Sequence, residues 1–286
     1  MDILTNIFVF IFGAVIGSFL NVCIYRLPKE EVGEEEEVSI VQLPSIFLKQ
    51  LRSITTPPSN CPQCKHPIRF YDNIPIVSYI LLGGKCRDCG AKISRRYPFV
   101  ELLTAVVCLI LYRQLGLSFE FFVSLFFVAL LIAISFIDLD HQIIPDILSI
   151  GGLAAGLFFA IFRPAFRVLY PKFNILDSLY GVLLGGGVLF LIAIGYKFIA
   201  KREGMGGGDI KLLALIGSFC GIKGVLFSLM AGSLLGTVVG IPVMLAKGQG
   251  TKYAIPFGPF LSLGALLYLF VGNFFVRYVI DIVAGR

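Results

Sequence analysis

The sequence predicts an all-α polytopic membrane protein of about eight transmembrane helices, carrying a small cytosolic four-cysteine zinc-binding module. Three observations predict it. First, 57% of the 286 residues are hydrophobic and 15% charged, with a mean hydropathy of +0.89; soluble chains are about 45–50% apolar and about a quarter charged. Second, apolar runs recur at the length of about 20 residues that carries a helix across the hydrocarbon core. Third, one intervening stretch, residues 26–97, is long enough for a soluble module and holds two C-x2-C pairs. The chain therefore divides into a first transmembrane helix (1–25), a cytosolic loop (26–97) and a membrane core (98–286).

The first span, 3–25, has no basic residue before its apolar run and no small-residue cleavage site after it. It reads as a retained helix and not as a removed signal peptide. The following loop carries 11 Lys and Arg, which places it in the cytosol by the positive-inside rule. That rule also absorbs the net charge of +6, so no nucleic-acid partner is inferred from it. The loop opens with "KEEVGEEEEV", whose glutamates Glu30, Glu31, Glu34, Glu35, Glu36 and Glu37 read either as a solvated charge run or as a surface for a basic peptide.

The pairs "CPQC" (Cys61, Cys64) and "CRDC" (Cys86, Cys89) stand 21 residues apart. Each C-x2-C turn presents two thiolates, and two turns complete a tetrahedral shell of soft ligands that suits zinc. A disulfide conflicts with a reducing cytosol, and a redox-active pair lacks a thioredoxin-like frame. Four sulfurs close the shell, so the ion is structural and His66 is a surface residue. Cys23, Cys108 and Cys220 fall in apolar runs and read as small buried side chains. Between the pairs, "IPIVSYILLGG" is too short to cross a bilayer and packs over the metal or on the membrane surface.

The remaining spans are expected at 98–115, 118–137, 146–163, 175–199, 209–223, 224–246 and 254–280. Glycines four apart, Gly13 and Gly17 and then Gly232, Gly236 and Gly240, let helix backbones approach closely in lipid. Ionisable residues at membrane depth are costly and therefore functional candidates. "FIDLDHQIIPD" supplies Asp138, Asp140 and Asp146 where the third span meets the fourth; "GGGD" supplies Asp209 at the start of the sixth, on the same side of the membrane. Two carboxylates that share a site divide the work of water activation and carbonyl polarisation. Gly206, Gly207 and Gly208 then clear the approach of an extended substrate to Asp209. The alternative readings are local: Asp146 after Pro145 as a helix-start carboxylate, and the glycines before Asp209 as an N-cap turn.

The motifs "GSFLNVCIYRLP" (17–28), the cysteine stretch 61–105, "IDLDHQIIPD" (137–146), "GMGGGDIKLLALIG" (204–217) and "IPFGPFLSLGAL" (255–266) occur together in one order. By them the chain resembles the bacterial type IV prepilin peptidases, which are also prepilin N-methyltransferases and GxGD membrane aspartic proteases. The resemblance implies catalytic aspartates at Asp138 and Asp209, with Asp140 and Asp146 as supporting candidates. It implies cleavage of a short basic leader after a glycine, at the cytosolic face of the bacterial inner membrane, from type IV prepilins and type II secretion pseudopilins. It also implies methylation of the new N-terminus with S-adenosylmethionine, without assigning donor-contacting residues. Glu101, in "YPFVELL", is a candidate for proton handling or a helix-start carboxylate. A GxGD peptidase without methylation is the nearest alternative, and the four cysteines argue against it. A transporter is the alternative from another class, and acids at the membrane edge with no visible repeat argue against that.

Overall fold

The computed structural model describes residues 3–31, 43–56, 58–161, 174–200, 206–247 and 255–283. Glu34–Glu37 of the acidic connector lie outside them. Every regular element among the described residues is helical, apart from two isolated β-bridges. The chain divides into two compact units, Met1–Phe121 and Phe122–Arg286.

The first unit is built on α1 (Ile3–Glu31) and α4 (Arg96–Leu115). Neither helix has an obvious polar stripe, as expected where lipid surrounds the pair and close packing must replace the hydrophobic drive. The glycines decide the contact. A Cβ on Gly13 would sit 2.6 Å from Cys108 Cβ, and one on Gly17 would sit 2.6 Å from Glu101 Cα. Asn21 donates from Nδ2 to the Tyr97 carbonyl at 3.0 Å and pins the end of the pair. Arg26, farther along α1, donates to the carbonyls of Ser53 and Ile54 at 2.9 and 3.2 Å. It thereby satisfies orphan acceptors at the end of α2 (Leu43–Thr55), where a cation is favourable. Between α2 and α4 lie the cysteine turns, a 3-10 turn at Phe70–Asn73 and the short α3 (Val77–Leu81). Gly116, with φ 64°, ends α4 through its N–H to the Tyr112 carbonyl.

The second unit packs α6 (Asp146–Ile161), α7 (Ile175–Val182) and α10 (Gly258–Val283) against the long α9 (Gly207–Lys247). α5 (Phe119–His141) brings most of its length to this unit. Phe127 of α5 stacks on Phe219 of α9 with centroids 4.6 Å apart. A Cβ on Gly156 of α6 would collide with Ser218 and Phe219. Asn174 starts α7 with a capping box completed by Asp177. Gly181 then lets α7 pass directly over the Gly217 carbonyl, and Ser178 donates to the Ser218 carbonyl at 2.6 Å. A π-helical stretch, Leu183–Val188, joins α7 to α8 (Leu189–Ala200). Gly221, at φ 65° and ψ −169°, interrupts α9. On the far side of that break, Gly232 and Gly264 fit α9 against α10.

Five described helices are long and apolar enough to cross a membrane: Ile3–Lys29, Arg96–Leu115, Phe119–His141, Ile175–Phe198 and Gly207–Leu245. Asp146–Ile161 and Gly258–Gly272 are apolar but shorter. The chain is an all-α, multi-pass membrane protein.

Candidate functional site

Two groups of chemistry-bearing side chains stand out, one in each unit. In the first, the sulfurs of Cys61, Cys64, Cys86 and Cys89 all lie within 4.8 Å of one another, with Cys61 and Cys89 at 3.8 Å. Two turns of the same construction hold them. In one, the Lys65 N–H bonds the Cys61 carbonyl at 2.9 Å and the Cys61 N–H bonds the His66 carbonyl at 2.9 Å. In the other, the Gly90 N–H bonds the Cys86 carbonyl at 3.0 Å and the Cys86 N–H bonds the Ala91 carbonyl at 2.8 Å. Bridges Asn60–Pro67 and Lys85–Lys92 close the two turns. Lys65 and Gly90 both take positive φ, 59° and 69°, but only Gly90 does so without a Cβ. The Cys64 N–H, and then that of Gln63, hold the Cys61 thiol down at about 7 against its burial. The cluster can hold a metal ion.

The second turn is locked to the 3-10 turn by a two-point ion pair. Arg87 donates to Asp72 from Nη2 at 2.6 Å and from Nε at 2.9 Å. Glu101, buried on α4, accepts the Ile76 N–H at 2.7 Å, and Ser18 of α1 is within hydrogen-bonding reach of the same carboxylate. Ile76 sits at φ 63°, ψ −50°, with the Val77 N–H on the Pro75 carbonyl at 2.6 Å. This is a γ-turn at a β-branched residue, a strained conformation that neighbouring contacts must hold. Glu101 supplies one of them.

In the second unit, Asp138 lies in the last turn of α5 and is 6% exposed. Its Oδ2 accepts the Gly258 N–H at 2.9 Å. Pro259 has no N–H to give, so the start of α10 reaches Asp138 through that one donor. A Cβ on Gly258 would stand 2.6 Å from the same Oδ2. Ile144, in the turn between α5 and α6, joins the parts: a Cβ on Gly258 would lie 3.4 Å from its Cδ1, and a Cβ on Gly208 3.0 Å from its own Cβ. Asp209 follows Gly208 in the first turn of α9, its N–H on the Gly206 carbonyl at 3.1 Å, and lies within electrostatic reach of Asp138. A side chain on Gly207 would meet nothing within 4 Å, and one on Gly206 would meet only Asp209 Oδ2, at 3.6 Å. Asp146 opens α6 and pairs with Lys211 Nζ at 2.5 Å. Asp140 is exposed. The structure thus gathers Asp138 and Asp209, sets Asp146 in an ion pair and leaves Asp140 facing outward.

Comparison with known proteins gives the family. Residues 11–115 match the bacterial peptidase A24 N-terminal domain, and residues 125–241 match the type IV leader peptidase family. A prepilin leader peptidase/N-methyltransferase of Aeromonas salmonicida is 35% identical over 277 residues, 96% of this chain and 93% of that one. The chain belongs to the type IV leader peptidase family. Proteins of the same name from Pseudomonas aeruginosa and Dichelobacter nodosus are 35% and 37% identical, over 93% of this chain and 90% and 91% of theirs. No solved structure matches significantly.

Within this leader peptidase chain the N-terminal match holds the four clustered cysteines and Glu101, and the second match holds Asp138, Asp140, Asp146 and Asp209. Gly258, Ile144 and Lys211 were not singled out by residue type. "IPFGPF" carried the signal for Gly258, since a glycine before a helix-start proline offers a lone N–H. Nothing in the sequence marks Ile144, an apolar residue among many. Lys211 follows Asp209 by two positions and is overshadowed by it.

Proposed function

We propose that this chain is a bacterial prepilin leader peptidase and N-methyltransferase in which Asp138 and Asp209 form the peptidase dyad. The observation that carries the reading is the convergence of Asp138, Gly208–Asp209 and Gly258 around Ile144. In the proposed reaction the pair shares one proton. One carboxylate takes a proton from water as its oxygen attacks the scissile carbonyl, and the other carboxyl protonates that carbonyl oxygen. Collapse of the tetrahedral intermediate expels the new N-terminal amine, which leaves with a proton. The Gly258 N–H orients the Asp138 carboxylate, and the open space at Gly206 and Gly207 admits the substrate backbone. Asp146 and Lys211 tie α6 to the first turns of α9 and support the site.

Counting α9 as two spans about Gly221 and adding the two shorter apolar helices gives eight crossings. With the basic loop 26–97 in the cytosol, the dyad faces the cytosol from the inner membrane. A short basic leader of a type IV prepilin or pseudopilin then stays in water while its apolar segment stays in lipid, so the cleavage junction meets the dyad after a glycine.

Zinc is the ion that the four-cysteine cluster fits. Four sulfurs about 2.3 Å from a tetrahedral centre lie about 3.8 Å apart, as Cys61 and Cys89 do. Cys61, Cys64, Cys86 and Cys89 would fill all four positions, so zinc would hold the two turns together and leave no open site for substrate. S-adenosylmethionine is the proposed methyl donor. Among the described residues there is no sheet with a Gly-rich strand-to-helix turn to cradle it.

Mass spectrometry of a prepilin incubated with the membrane-reconstituted enzyme and S-adenosylmethionine tests the reading. Asp138→Asn and Asp209→Asn are each expected to lower leader cleavage by about 10²–10⁴-fold, the usual yield of a positioned acid or base, with zinc retained. Wild-type product should carry one added methyl. Cleavage surviving in either variant would reassign the dyad to Asp140 or Asp146.

A further inference from the structure

The cysteine unit exposes an apolar face that the peptidase reading does not use. Phe70 is 88% exposed, Leu81 79% and Ile80 68%, with Ile74 and Val77 close to half exposed. Single exposed apolar residues are ordinary. A cluster of this kind within 12 residues of a small module marks an interaction surface.

Three observations name the partner. The first is depth. Ile76, in the middle of this stretch, is bonded to Glu101 at 2.7 Å. Glu101 lies five residues into α4 from Arg96, about 7.5 Å along the helix. α4 is one of the helices long and apolar enough to span, so the apolar face is pinned level with its first turns, where a bilayer has its headgroups. The second is charge. Residues 59–97 carry seven Lys and Arg against Asp72 and Asp88 only, a net +5. Such a surface attracts anionic lipid and repels a basic leader or a second copy of itself. The third is shape. Phe70 sits on the short helical piece Phe70–Asn73 and Val77, Ile80 and Leu81 on the piece Val77–Leu81, with Ile74 in the link that holds the γ-turn at Ile76, and neither piece could span.

We propose that the face formed by Phe70, Ile74, Val77, Ile80 and Leu81 is seated in the interface of an anionic lipid leaflet, with the basic residues of the cysteine module in the headgroup layer. The apolar side chains enter the headgroup–acyl boundary to the depth of about 5–10 Å typical of interfacial segments. The strained turn at Ile76, held by Glu101, presents both short pieces to the same surface. The proposal concerns the cysteine unit alone and stands or falls separately from the aspartate dyad.

The chain contains no tryptophan, so Phe70→Trp places a lone fluorophore on this face of the full-length protein. The variant is reconstituted in nanodiscs of phosphatidylcholine with acyl chains brominated near the headgroup, with or without brominated phosphatidylglycerol. The expected result is blue-shifted emission and quenching that is about two-fold or more stronger in the anionic discs, weakening as salt is raised. Leu81→Trp should behave alike and carries the same test should Phe70→Trp not fold. Leader cleavage checks that either variant is native. Water-like, unquenched emission overturns the proposal, as does quenching that ignores lipid charge. Quenching that appears only when prepilin is added would overturn it too, and would assign the face to substrate.

Discussion

The Cys61 and Cys89 sulfurs meet across 28 positions of chain, whereas the Gly258 N–H reaches Asp138 across 120. The first site is made of two tight turns with the same backbone bonds, each complete within a few residues before any tertiary contact is made. The second exists only after α5, α9 and α10 have packed, and glycines make the packing possible. A metal site can therefore be assembled from local turns and closed by the ion. The acid site depends on helix ends arriving together to within a fraction of an ångström. Damage to one should leave the other standing.

The largest effect is expected from breaking the metal end of this contrast. Cys61→Ser combined with Cys86→Ser should abolish zinc binding, because a structural site folds with its metal. Residues 59–95 should then become cleavable by added protease. Leader cleavage should change by less than about ten-fold if the dyad is independent, since additivity holds for sites without shared partners. Metal analysis, limited proteolysis and the prepilin assay on one preparation check all three. A collapse of leader cleavage equal to that of Asp209→Asn would refute the independence.

Next comes the opposite break. Gly258→Ala would put a methyl 2.6 Å from Asp138 Oδ2, so the carboxylate must turn away and lose the N–H. A misplacement of that order costs about 10²-fold in rate. Prepilin cleavage should fall by that factor with zinc content unchanged.

The contrast sharpens within the cysteine unit itself. Lys65 and Gly90 hold equivalent positions at positive φ, where a side chain costs about 1–2 kcal/mol. Lys65→Gly should therefore make zinc harder to remove, and Gly90→Ala should make it easier. The two changes should be of similar size and opposite sign, read by chelator competition. Same-sign effects, or effects of clearly different size, would show that the turns are not equivalent in energy.

The smallest effect is a pH dependence. The Arg87 guanidinium bonded to Asp72 holds its carboxyl below the ordinary aspartate range. A depressed carboxylate contributes stability that is fully present above its unfolded value, about 3.9, and is lost as pH falls through the lower folded value. Acid therefore costs the wild-type module this contribution, and Asp72→Asn has none to lose. The gap between the two in thermal unfolding should narrow below about pH 4; a gap constant with pH would deny the pair this role.

The membrane class and most spans were legible because hydropathy is a property of contiguous residues. The division of α9 was legible in part: expected spans of 209–223 and 224–246 divide a short way past the break that the structure puts at Gly221. The set of four cysteines was legible because C-x2-C turns encode ligand geometry locally. The two acid clusters were visible as costly residues, but only the family resemblance set Asp138 above Asp140, two positions apart on one helix. Helix rotation does distinguish them, and packing sets that rotation.

By itself the sequence determined an all-helical membrane chain, a four-sulfur metal cluster and a short set of candidate acids, because each follows from spacing or transfer energy along the chain. Only the tertiary structure decided that Gly258 holds Asp138, that Lys211 occupies Asp146, and that Glu101 pins the strained turn at Ile76. Those facts depend on backbones brought within van der Waals contact by glycines, and such contacts are relations between distant segments.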